Sequence, residues 1–176
     1  MSACRPPESG RPRFLADRML GTLTRYLRFM GYDTRSASDL PSGNPGEDSV
    51  LLRIAREEGR ILLTRDRELA RRGGDGAIHL DGGDAAAQMR TLIARGLVEP
   101  VLAMDRCSLC NTPLRPATAT EVTDAVYAPP AETGLEFYWC VRCGKLYWMG
   151  SHGRRLAERF RSLHPGGDPE QTRQQP

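Results

Sequence analysis

Short apolar runs alternate with amphipathic stretches over the first hundred residues. Arg13–Ala16 predicts a strand. In Met19–Met30, Leu20, Leu23, Leu27 and Met30 recur at helical spacing on one face, and Gly31 supplies a stop. Thr34–Ala37 reads as a second strand and Ser42–Gly46 as a loop. Asp48–Glu58 is a helix with Leu51, Ile54, Ala55 and Glu58 on one side, ended by Gly59. Ile61–Thr64 is a compact apolar strand. Arg67–Arg72 is a short helix closed by Gly73 and Gly74. Ala77–Leu80 is another strand, and Ala85–Arg95 a helix with Met89, Leu92 and Ile93 inward. This alternation predicts an α/β domain over residues 13–100, a parallel sheet flanked by helices on both faces.

The pattern then changes. Residues 101–163 predict a second unit. Val122, Val126, Phe137, Tyr138 and Trp139 are strand material, and His152–Leu163 is a closing helix. Residues 1–12 and 164–176 are rich in Pro, Gly and polar residues and are expected to be disordered tails.

Composition narrows the function classes. Hydrophobic residues make up 39% of the chain, which permits a packed core. No apolar run is long enough to span a bilayer, and the opening residues lack the apolar stretch of a secretory signal. A soluble cytoplasmic protein is the expectation. The net charge of +3 permits nucleic-acid binding without arguing for it. Lys145 is the sole lysine; the other cations are arginines. Arg suits bidentate phosphate contacts, and a GC-rich genome produces the same bias.

Four of the five cysteines fall in two Cys-x2-Cys pairs, Cys107/Cys110 and Cys140/Cys143, with 29 residues between the pairs. The fifth, Cys4, lies alone near the amino terminus. Two residues between cysteines let both thiolates of a turn face one metal, and two such turns complete a tetrahedral site. Gly144 follows the second pair, where a knuckle turn requires positive φ. The competing reading, a pair of redox motifs, needs only one pair, placed at a helix start. A Cys4 zinc ribbon is therefore expected. Its Zn²⁺ is structural, because four protein ligands leave no open position and so short a module cannot build an adequate core alone.

Acidic residues gather where a parallel sheet carries function, at the carboxyl ends of its strands. Asp17 follows the first strand and Asp66 the third. Asp48, with Glu47 beside it, opens the second helix, and Glu68 follows Asp66 by two positions. Carboxylates converging on one pocket need cations between them. Hard oxygen ligands suit Mg²⁺ or Mn²⁺, which serve phosphodiester cleavage. Asp17, Asp48, Asp66 and Asp84 also each precede a predicted helix, where Asp is a favoured N-cap; Asp84, after Gly82 and Gly83, falls in that class. Spacing leaves capping and catalysis both open for the other three. Arg18, Arg25, Arg28 and Arg65 surround the acidic set. They are either phosphate contacts or a solvated helix face.

Several of these segments together resemble one family. Phe14-Leu15-Ala16-Asp17-Arg18-Met19-Leu20-Gly21, then Arg25-Tyr26-Leu27-Arg28 and Gly31-Tyr32-Asp33, are similar to the opening of the Mut-seven C-terminal RNase domain family. Ile61-Leu62-Leu63-Thr64-Arg65-Asp66-Arg67-Glu68-Leu69 is similar to its second signature. Arg106-Cys107-Ser108-Leu109-Cys110-Asn111, Phe137-Tyr138-Trp139-Cys140 and Tyr147-Trp148-Met149-Gly150-Ser151-His152 resemble its zinc ribbon. The resemblance implies a PIN-like nuclease fold followed by the ribbon. It also implies metal-dependent cleavage of single-stranded RNA by Asp17, Asp48 or the adjacent Glu47, and Asp66, with Glu68 in the place of a fourth acid. A ribbon that assists RNA binding follows from the same reading. The rival expectations are a non-catalytic RNA- or ribosome-binding module and a regulatory protein acting through a protein partner.

Overall fold

The computed structural model describes residues 10–41, 46–129 and 134–163. Residues 1–9 and 164–176 of the expected tails, with Cys4, and residues 42–45 of the expected loop Ser42–Gly46 lie outside the described residues. Within the first expected tail, Arg11 is placed, donating to the Met30 carbonyl at 3.4 Å and lying over the Tyr32 ring.

Phe14–Ala16 (β1), Thr34–Ser36 (β2), Ile61–Thr64 (β3) and Ala77–His79 (β4) form a parallel sheet in the order β2-β1-β3-β4. Gly21–Phe29 (α1), Glu47–Glu57 (α2), Arg67–Gly73 (α3) and Ala85–Ala94 (α4) connect and cover it. The chain is an α/β protein, as its periodicity predicts. β1 is buried along its whole length, the behaviour of a central parallel strand covered on both faces.

Strand periodicity separates two cores. Phe14 and Ala16 of β1 and Leu63 of β3 face a cluster containing Leu20, Leu23, Leu27 and Met30 from the α1 region and Met89 and Leu92 from α4. Leu15 and Leu62, one position out of phase, face Leu51, Ile54 and Ala55 of α2 and Leu69 of α3. A one-residue register slip would exchange the two sets, so packing fixes the register.

The first helix departs from expectation at its start. A 3-10 turn at Arg18–Leu20 precedes α1, with the Asp17 side chain accepting from the Arg18 backbone N–H. Gly31 ends the helix at φ 84, and a Cβ there would lie 3.0 Å from the Ala103 Cβ. Glycine is thus required both for the turn and for the close approach of the connecting chain.

The second unit is a three-stranded antiparallel sheet, Arg115–Pro116 (β5), Phe137–Cys140 (β6) and Lys145–Trp148 (β7), in the order β5-β6-β7. Phe137, Tyr138 and Trp139 are in a strand as expected. Val122 and Val126 are not. Val122 belongs to a short helix, Ala119–Asp124 (α5), and Val126 is 99% exposed in the turn after it. The cause is a capping box: Thr118 and Glu121 satisfy each other's backbone N–H groups and nucleate a helical turn.

The closing helix, Ser151–Arg161 (α6), also differs from expectation. The ribbon precedes it in the chain, yet α6 returns to the first core. Phe160 and Leu163 are buried in the cluster that holds Phe14 and Leu23, and Phe160 meets Tyr26 edge-on at 5.2 Å. The ribbon is therefore an insertion between two parts of one packed body. No helix among the described residues is long and apolar enough to cross a membrane.

Candidate functional site

Two places in the molecule gather metal-ligating residue types, and among the described residues only the first brings three or more ligand atoms together. The first is built by the knuckles. The ligand atoms of Cys107, Cys110, Cys140 and Cys143 all lie within 4.8 Å of one another, the only such group of three or more metal-ligating side chains among the described residues. The Cys107–Cys143 and Cys110–Cys140 sulfurs are 3.8 and 3.5 Å apart. A tetrahedral zinc with Zn–S bonds of about 2.3 Å sets its sulfurs ~3.8 Å apart, so the cage fits that ion. None of the four is in a disulfide. Asn111 and Gly144, the residues after each pair, both adopt positive φ and donate a backbone N–H to the carbonyls of Cys107 and Cys140.

The electrostatics point the same way. Burial works to raise Cys110, but hydrogen bonds with Thr112 and the neighbouring thiols outweigh it and bring the thiol down to about 6. Cys143, hydrogen-bonded with Cys110 and partly desolvated, is pushed up to about 12. Burial raises Cys140 as well. Cys110 accepts negative charge while Cys140 and Cys143 resist it, a deficit that a divalent cation removes.

The second place is the carboxyl edge of the parallel sheet. The chain moves from β1 to β2 on one side, then crosses back to β3 on the other. The crevice at such a switch point is where open α/β sheets bind ligands. Asp17 and Asp66 emerge there. The Thr64 hydroxyl at the end of β3 donates to Asp17 Oδ2 at 2.9 Å and accepts from the Asp66 N–H at 3.0 Å, tying both ends together. Asp17 Oδ1 accepts from the Arg18 N–H at 2.6 Å. Asp66 Oδ1 caps α3 through the N–H groups of Glu68 and Leu69. Capping and placement at the switch point thus coexist in both residues. Asp84 caps α4 through the Ala87 N–H.

The remaining acids lie at the start of α2 and on α3. Glu47 accepts from Arg18 at 2.7 and 3.2 Å, which attaches it to the residue next to Asp17. Asp48 instead faces Arg72 of α3 at 3.5 Å. Glu68 forms an exposed pair with Arg71 one turn away, and the Arg71 hydrogen bond holds its carboxyl below the usual range.

The four arginines separate. Arg25 and Arg65 are exposed. Arg18 is half-buried, holding Glu47 and the carbonyls of Leu40 and Pro41. Arg28 departs from the phosphate contact expected of it: it is 3% exposed, and its guanidinium donates to the carbonyls of Thr34, Ser108 and Leu109 and to Asp39. Burial lowers its pKa, against the opposing pull of Asp39. It seats the first zinc knuckle on the sheet. Asn111 completes the joint by accepting from the Thr34 N–H at 3.0 Å and donating to Asp33 at 2.7 Å. Sequence reasoning missed Asn111 as a joint residue. The signal available was its place after the knuckle, where Asn tolerates the left-handed turn.

Fold and site define a class: an α/β domain with carboxylates at its switch point, joined to a four-cysteine module that fits zinc. The model of the Mut7-C RNAse domain matches residues 12–160, and the chain belongs to that family. The family supports a ribonuclease-like function, with RNA as the implied substrate. Searches of curated proteins and of solved structures find no match to the chain.

Proposed function

We propose that the protein is a PIN-like endoribonuclease, working in the cytoplasm, that cleaves phosphodiester bonds of single-stranded RNA with Mg²⁺ or Mn²⁺ at the carboxyl edge of its sheet. The observation that carries this reading is the Asp17–Thr64–Asp66 chain at the topological switch point. The donors are hard oxygens, the type these ions take. Among the described residues Asp66 Oδ2 makes no hydrogen bond, which leaves an oxygen for a cation. Asp17 and Asp66 would hold it together with an acid opening α2. Asp48 is the sequence-based choice for that acid, and Glu47 is the one attached to the Asp17 end through Arg18. When bound, the ion supplies charge neutralisation at the phosphate and activation of water.

The protein's own groups have separable tasks. Thr64 fixes the direction of the Asp17 carboxylate. Arg65, exposed beside Asp66, and Arg25 on α1 contact the phosphate backbone. Arg18 holds the acid opening α2 in place. Glu68 reaches the reaction only by releasing Arg71. The zinc ion is structural, and the ribbon assists RNA binding. The acidic α/β unit gives way to the ribbon near residue 100, and α6 after the ribbon packs back on that unit.

The test is cleavage of labelled single-stranded RNA in Mn²⁺. Asp17→Asn and Asp66→Asn should each lower the rate on the order of 10²-fold, as removal of a positioned charged group does. Equal cleavage by wild type and both variants would sink the assignment. One observation favours a second reading, a non-catalytic RNA-binding module: Glu47 and Asp48 are each already paired with an arginine. Salt-sensitive RNA binding by wild type with no cleavage in any divalent cation would establish it instead.

A further inference from the structure

A cavity of about 720 Å³ opens between α1, the β7 strand of the ribbon and the start of α6, away from the acidic crevice. That volume is in the range of small-ligand sites, roughly 300–1,000 Å³. Arg25, Lys145 and His152 line it, one from each element, and no carboxylate does. Among the described residues none of these three side chains has an ion-pair or hydrogen-bond partner. Arg18, Arg28, Arg60, Arg71 and Arg72, by contrast, are all engaged by carboxylates. Arg25 and Lys145 thus bring two unpaired cations to one opening, with the His152 imidazole beside them.

The same cavity has flat surfaces. Tyr127 and Trp148 stack with centroids 6.1 Å apart and planes 27° from parallel. Tyr127 is 58% exposed. Exposed aromatic faces beside unpaired cations recognise a base and its phosphate together. Helix α6 adds to the attraction: it has no side-chain cap and no acid in its first turn, where Ser151 and His152 border the cavity.

We propose that this cleft grips a phosphorylated nucleotide of a single-stranded RNA, and that α1 leads the strand from it to the acidic crevice. The second half rests on the ribonuclease reading; the affinity of the cleft for the strand does not. Arg18, Thr22, Arg25 and Phe29 follow helical spacing from the crevice to the cleft. Asp17 and Arg25 are eight positions apart, roughly 12 Å along a helix axis. A strand must therefore extend several nucleotides beyond the scissile bond to be held in both places, and dinucleotides should be poor substrates.

The experiment uses the full zinc-loaded chain carrying Asp17→Asn to suppress cleavage, with binding of a labelled single-stranded oligoribonucleotide read by anisotropy across a salt series. Lys145→Glu should weaken binding at least tenfold and reduce the slope of log K against log salt by about 0.7, one phosphate contact on a single strand. Tyr127→Ala should weaken it at least about fivefold, the low end for a lost base–aromatic stack. Arg90→Glu, on the exposed face of α4, should bind as the parent does. Zinc content and circular dichroism establish that each variant is folded. Parental affinity in both folded cleft variants overturns the proposal and leaves the cleft to a protein partner. Weakened binding in both, alongside wild-type cleavage by Asp17→Asn alone, keeps the cleft and removes the nuclease assignment.

Discussion

The knuckle pair brings four metal-ligating side chains together, whereas the acids around the sheet edge form no such cluster among the described residues. The four sulfurs converge because each Cys-x2-Cys turn aims two of them locally and a three-stranded sheet aligns the turns. The carboxylates at the sheet edge are held by protein partners: Asp17 by Thr64, Glu47 by Arg18, Asp48 by Arg72 and Glu68 by Arg71. A site that must be complete before anything binds is built from short-range covalent geometry. A site that must admit a charged substrate keeps its charges on exchangeable partners. The first is a fixture of the fold, and on the proposed ribonuclease reading the second is finished by what it binds.

That contrast breaks most visibly if zinc is removed. Structural zinc contributes about 10–16 kcal/mol in small isolated modules, far more than this ribbon's own core can replace. Cys107→Ser, or chelation of the wild type, should unfold the segment between Asp105 and Gly150. New proteolytic sites there and loss of one zinc per chain are the readouts. Mn²⁺ binding at the acidic edge, followed by titration, should persist. Its simultaneous collapse would show that the edge depends on the ribbon and that the two sites are not separate.

A smaller effect tests the joint between them. Burial works to raise Asp33, but hydrogen bonds from Arg60 and Asn111 outweigh it and hold its carboxyl below the usual range. Arg60 belongs to the sheet and Asn111 to the knuckle, so one carboxylate serves both. A depressed folded pKa contributes stability above the unfolded value, near ~3.9, and loses it as pH falls through the folded value. The melting temperature should therefore drop on acidification below about pH 4. Asp33→Asn should melt lower at neutral pH and show a shallower acid limb. Acid release of zinc is common to both proteins, so the difference between their curves isolates Asp33. Parallel curves would mean that the joint is held by Arg28 alone.

The sequence pattern carried some of these features and concealed others for physical reasons. Ile61–Thr64 and the Leu20/Leu23/Leu27/Met30 face were legible because each is a local period matched to one buried surface. The cysteines were legible because a knuckle needs only a few consecutive residues. Arg28 was not: its burial depends on carbonyls about 80 positions away, at Ser108 and Leu109, and an arginine beside an apolar stripe reads as solvated. The destination of α6 was hidden likewise. Leu156, Phe160 and Leu163 announce an apolar face, but periodicity does not say which core receives it. The acids opening α2 posed the hardest case. Glu47 and Asp48 are adjacent, and only the placement of Arg18 and Arg72 separates them.

Glu68 gives the smallest expected effect and the sharpest division within the acidic set. Its side chain is 60% exposed, and its hydrogen bonds go to Arg71 on the same helix. Asp66, two residues earlier, is instead fixed by the start of that helix and by the Thr64 hydroxyl. An i,i+3 pair on a solvated face exchanges readily, so Glu68 is free to leave Arg71 but has nothing to hold it in the crevice. Glu68→Gln should leave the fold unchanged and lower cleavage by less than about tenfold, below the usual loss on removing an outer partner of a metal site. The measurement is the Mn²⁺-dependent rate of Glu68→Gln beside that of Asp66→Asn. Equal losses would place Glu68 at the metal and require α3 to turn its exposed face toward the sheet edge when RNA binds.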